Sequence, residues 1–143
     1  MAQGTGLKNE PKQRRSRLSK AKVVAAARQI MADHGYDAFT LQQVSSTSGV
    51  SIGSIYGRFT GKDELIHFVH RTLLDEMDEA HRTLLADPVW PELPLQEIVP
   101  RLFDGIAETL RTNAPLLRAF MLRAINDPVI SEEGSKSYWN FID

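Results

Sequence analysis

Side chains able to do covalent or metal chemistry are sparse in these 143 residues. The chain has no cysteine, which excludes disulfides and thiolate metal sites and fits a reducing compartment. Asp63, His67 and His70 recur at i, i+4 and i+7, a spacing able to hold a divalent cation on one helix face. His81 continues that stripe about 16 Å beyond His70, too far to join them. Polar helix surface or a pH-sensitive contact accounts for the same residues. With no further ligand in sight, no metal and no other cofactor is expected. No nucleophile-base-orienter set and no phosphate loop is present, so an enzyme is not expected either.

Hydrogen-bonding chemistry is concentrated instead between Thr40 and Lys62, TLQQVSSTSGVSIGSIYGRFTGK. Thr40 followed by Gln43 has the form of a capping box and predicts a helix start with Leu41 and Val44 turned inward. Gly49 can take the left-handed backbone needed to leave that helix, Val50 plugs the angle, and Ser51 caps a second short helix. At 100° per residue from Ser51, Ile55 falls near about 40°, Phe59 near about 80° and Ile52 near about 100°. Gly53, Ser54 and Gly57 fall on the other side, at roughly 200–300°. A face of glycine and serine is unusual for a solvated helix but suits one pressed into a groove. A B-DNA major groove accepts one α-helix, entered by the first residues of the second helix of a helix-turn-helix.

The elements that must position this pair are all helical, and the fold class expected is all-α. Ser19 is placed to cap a bracing helix carrying Val23, Ala27, Ile30, Met31 and His34, stopped by Gly35. Lys62 to Leu85 is expected to form the longest helix, opened by Asp63 and Glu64 where the helix dipole favours acids. Three prolines between Asp87 and Pro94 set an elbow. A helix over about Leu95–Asn113 carries a wide apolar stripe, a second is expected to start at Pro115 and end at Asn126-Asp127-Pro128, and a further segment begins at Ser131. Residues 1–16, rich in Gly, Pro, Gln and basic side chains, are expected to be a flexible basic arm. There Lys8, Lys12, Arg14, Arg15 and Arg17 could lie along a phosphate backbone or in a minor groove, or the first ten residues could be only a solubilising tail.

Charge divides the chain. Residues 1–62 hold 10 Lys+Arg against 3 Asp+Glu, net +7, and the remainder is net −8. A basic half suits a polyanion and an acidic half does not. No apolar signal core is present and no apolar run approaches the roughly 20 residues that span a bilayer, so no membrane is expected and a cytoplasmic location is.

Gly35-Tyr36-Asp37, Thr40, Val44, Gly49-Val50-Ser51, Gly53-Ser54-Ile55-Tyr56, Phe59 and Lys62-Asp63-Glu64-Leu65 together resemble the N-terminal domain of the tetracycline-repressor-like (TetR) family of transcriptional regulators. The resemblance runs from about Arg17 to Leu65; beyond it the likeness is architectural. It implies a helix-turn-helix DNA-binding domain at 17–62 and a helical effector-binding and dimerisation domain at 63–143. It also implies that Thr40, Tyr56 and Lys62 hold phosphates while Gln42, Ile52, Gly53 and Ser54 face base edges. Ile52 can equally be core, and Tyr56 simple packing. Arg58 replaces the family's more usual Tyr or His; it could contact a phosphate or a guanine, or be a solvated surface arginine. With Ser51 and the arm's Arg14, Arg15 and Arg17, these are the candidate DNA-binding residues. Phe103, Phe120, Met121 and Trp139 are candidates for an effector pocket, or ordinary core. Ending in WNFID without a cap, the helical domain reads as truncated, and a homodimer is expected for a full-length protein.

The function expected is therefore a ligand-responsive regulator, a repressor, that binds palindromic double-stranded operator DNA and is released by a small-molecule effector. The alternative is a helical protein-protein interaction module without sequence-specific DNA binding.

Overall fold

The computed structural model describes residues 10–142, with side chains at 13–140. Among them the order is α1 (Glu10–Ala38), α2 (Leu41–Ser48), α3 (Ile52–Tyr56), α4 (Lys62–Leu85), a 3-10 turn (Trp90–Glu92), α5 (Leu95–Ala124) and α6 (Pro128–Ile142). No strand occurs among the described residues, and the fold is all-α. Two compact units are resolved, one through Ile66 and one from His67.

The first unit is a three-helix arrangement whose interior holds Val23, Ala27, Met31, Phe39, Val44, Ile55 and Phe59. α1 is interrupted at Gly35, where φ is 71° and ψ −175°, a conformation open to glycine because it has no Cβ. The helix expected to begin at Ser19 begins instead at Glu10. The expected arm is thus helical over 10–16, and only its residues 1–9, Lys8 among them, lie outside the described residues. Pro11 suits a first turn, and Lys, Gln and Arg are strong helix formers, so this segment folds on propensity where it has no apolar stripe. None of the side chains from Gln13 to Lys22 is buried.

In the second unit Leu73, Met77, Leu116, Phe120 and Ile130 are buried. α5 is one helix of 30 residues rather than two, running through Pro100 and Pro115. Pro115 removes one backbone donor, but the apolar stripe persists across it, with Leu116, Ala119 and Phe120 buried just beyond, so packing overrides the local break. Asp127 starts α6: its side chain accepts from the Ile130 amide at 3.4 Å and its carbonyl from the Ser131 amide at 3.1 Å. The last segment therefore begins at Pro128 rather than Ser131.

Polar ties join α4 and α6 inside this unit. His67 Nε2 lies 2.9 Å from Asp127 Oδ2, which also accepts from Arg123 Nε at 3.1 Å. His70 Nδ1 lies 3.3 Å from Glu133, whose other oxygen accepts from Arg71 at 3.1 Å. Burial opposes ionisation of Asp127, but hydrogen bonds from His67 and the Ile130 amide, with the His67 and Arg123 charges, outweigh it and hold the carboxyl below its ordinary range. Burial pulls the His70 imidazole down, against the opposing pull of Glu133. His67 and His70 are thus taken up by carboxylates more than 55 residues away. Among the described residues no three His, Asp or Glu side chains converge as metal ligands.

Candidate nucleic-acid interface

Thr40 is the extended residue ahead of α2 (φ −136°, ψ 150°), and its capping box is complete. Its Oγ1 accepts from the Gln43 amide at 3.2 Å, and its own amide donates to Gln43 Oε1 at 2.9 Å. These bonds satisfy orphan donors of the first turn and fix where the exposed hydroxyl sits. Gln42, next along, points to solvent, while Leu41 and Val44 are buried.

The turn is closed largely by side chains. Gly49 has φ 68° and ψ 14°, the left-handed region, and its amide donates to Ser45 O at 3.0 Å. Ser45 Oγ donates to Val50 O at 2.8 Å, and Ser48 Oγ accepts from the Val50 amide at 3.2 Å. With Val50 buried between them, the angle from α2 to α3 is defined by packing and hydrogen bonds together. Ser51 caps α3 as expected, accepting from the Ser54 amide at 3.3 Å and donating to Ser54 Oγ at 2.9 Å.

α3 is short, five residues, and its two faces differ as the sequence predicts. Ile55 is fully buried, and Phe59, just past the helix, is nearly so. Ile52 is half-buried, Gly53 and Ser54 are exposed, and Tyr56 is 57% exposed despite its size. A Cβ built on Gly53 meets nothing within 4 Å, so the fold itself sets no requirement for glycine there.

Two candidate cations are engaged within this unit. Lys62 Nζ donates to Tyr36 O at 2.6 Å and stands 3.8 Å from the centre of the Tyr36 ring, while Tyr36 Oη donates to Asp63. Lys62 is half-buried, so its ammonium ties the corner after Gly35 to the start of α4. Arg58 donates from Nη1 to Ser54 O at 3.2 Å and from Nη2 to Ser16 O and Oγ, each at 3.4 Å. Arg14, Arg15 and Arg17 are exposed on the first turns of α1.

The effector-pocket candidates lie in the second unit and only in part together. Phe120, Met121 and Trp139 line an open groove of about 590 Å³ with His70, Leu117 and Ile130. Phe103 is not among its lining residues and is 69% exposed. His70 is an addition to the expected set; its ring lies 4.7 Å from that of Phe120.

A glycine-turned helix pair, with a small-residue face exposed on the second helix, defines the class: a helix-turn-helix. Comparison with known proteins points the same way. "Bacterial regulatory proteins, tetR family" matches residues 23–69. The chain is 30% identical over 102 residues, 71% of this chain and 51% of the relative, to the uncharacterized HTH-type transcriptional regulator YhgD of Bacillus subtilis (strain 168). A transcriptional regulator from Rhodococcus sp. Rha1 superposes with a TM-score of 0.67 at 24% identity, over 85% of this chain and 64% of that one. The fatty acid degradation regulator FadR from Bacillus halodurans gives 0.65 at 19%, over 96% and 65%. Residues 23–69 thus carry a segment similar to the DNA-binding domain of TetR family transcriptional regulators. The chain spans about half the length of YhgD and less than two thirds of these two solved chains. No helix among the described residues is long and apolar enough to cross a membrane.

Proposed function

We propose that this regulator binds palindromic operator DNA as one half of a homodimer, represses transcription there, and is released by a small apolar effector held in the groove of the second unit. The observation carrying the DNA reading is the solvent-facing Gly53-Ser54 surface of α3, beside the exposed Tyr56. Small side chains let a helix backbone approach base edges closely, and serine can serve either base as donor or acceptor. Thr40 and Tyr56 would hold phosphates, fixing register without reading sequence. Gln42 would reach adenine in a bidentate pair, and Ile52 would present its exposed part to a thymine methyl.

In a dimer two such surfaces would enter successive major grooves, roughly 34 Å apart. An effector binding better to a conformer with a different head spacing would lower DNA affinity. Phe120, Met121 and Trp139 would line the effector site, with Phe103 outside it. Selection of bound duplexes from a random pool tests the reading. A two-fold symmetric winner is expected, with affinity falling steeply as salt rises. Absence of duplex binding even at low salt would overturn it in favour of a protein-interaction module.

A further inference from the structure

The first turns of α1 carry three arginines but place no buried side chain in the interior from Gln13 to Lys22. A helical segment of this kind, with little tertiary packing, frays readily, since isolated helices of this length are marginal in water. One described polar tie from the reading pair reaches it. Arg58, just after α3, spans from Ser54 O to the backbone and hydroxyl oxygens of Ser16, which sits between Arg15 and Arg17. The guanidinium is well suited to this, because its planar fork presents several donors in fixed directions.

We propose that Arg58 is a positioning residue: it clamps the first turns of α1 against the end of α3, so that Arg14, Arg15 and Arg17 meet DNA as an ordered array set relative to the reading helix. Direct contact of Arg58 with a base or phosphate is a different role, since there the guanidinium would leave Ser16 for the duplex. Fixing the array before binding removes an ordering cost that a mobile arm meets on contact. Ser16 contributes through its hydroxyl and its carbonyl, so Ser16→Ala removes one of the two acceptors and Arg58→Ala removes the clamp. This inference rests on the DNA reading above, and the experiment separates the two.

The test uses the full chain. A spin label at Gln13, an exposed position, reports the mobility of the segment in the free protein; Arg58→Ala should raise it, with Ser16→Ala intermediate. On the selected duplex, a double-mutant cycle then combines Arg58→Ala with joint alanine replacement of Arg14, Arg15 and Arg17. The clamp requires non-additivity of about ten-fold in Kd, since Arg58 acts through the arginines, whereas independent contacts agree within about two-fold of additivity. Unchanged mobility in Arg58→Ala overturns the clamp, as does an additive cycle. Failure of the unaltered protein to bind any duplex overturns the DNA reading and the array's purpose with it, and the label identifies which of the two has failed.

Discussion

Gly53 separates folding from reading. Because a Cβ there meets nothing within 4 Å, Gly53→Ala should leave the unfolding free energy unchanged or raise it, by up to about 1 kcal/mol of helix propensity. The same change should weaken duplex binding at least several-fold, because the methyl would occupy the space needed for close approach. A variant that is both stable and fully binding would show that this face does not touch bases. Gly49 behaves oppositely: its φ of 68° places the cost of Gly49→Ala in the backbone, about 1–2 kcal/mol by denaturant unfolding. His70 and Asp127 give pH dependence. The folded state disfavours protonation of His70, so as pH falls below about 6.5 the unfolded chain takes up a proton that the fold resists, and stability declines. Asp127, held low, adds stability present above its unfolded pKa, about 4, and lost below it. Urea unfolding monitored at pH 7.5, 6 and 5 should show the first decline, and His70→Gln should flatten it.

Within single helices, α5 offers the sharpest test. Pro115 deprives the Arg111 carbonyl of its usual helix donor, so Pro115→Ala should stabilise the second unit by about 1–3 kcal/mol, read as a shift in urea midpoint. A lowered midpoint would mean that the proline ring is itself needed for packing. The same helix shows where sequence pattern runs out: a proline is a local stop signal, and the persistence of a buried stripe past it is decided by neighbours. α1 departs from pattern in the opposite sense. The stretch from Glu10 to Ser19 lacks apolar periodicity, so periodicity does not reveal a helix there, although Pro11 followed by Lys, Gln and Arg is a usable propensity signal. The reading pair is legible because its instructions are local: Thr40 with Gln43, the left-handed Gly49, and Ser51 three residues before Ser54. His67 and His70 stand out by spacing alone; Asp127 and Glu133, their partners, lie about sixty residues on, beyond any local pattern. Phe103 and Met121 likewise belong to apolar stripes whose burial depends on what faces them.

For the molecule as a whole, the uneven charge sets the conditions of use. With net +7 through Lys62, association should be strongly salt-dependent. Replacing Arg14, Arg15 and Arg17 by alanine should reduce the slope of log K against log salt by about 0.9 for every phosphate that each reading head ceases to neutralise. An unchanged slope would place those arginines away from the duplex. The acidic remainder, net −8, would be repelled by the same polyanion. The turns ahead of Val23 have a different consequence. No side chain from Gln13 to Lys22 is buried, so after a gene duplication they can be rewritten with little harm to the interior. On the proposed DNA reading, divergence in promoter choice between sister copies would begin in that segment before the residues proposed to face bases change.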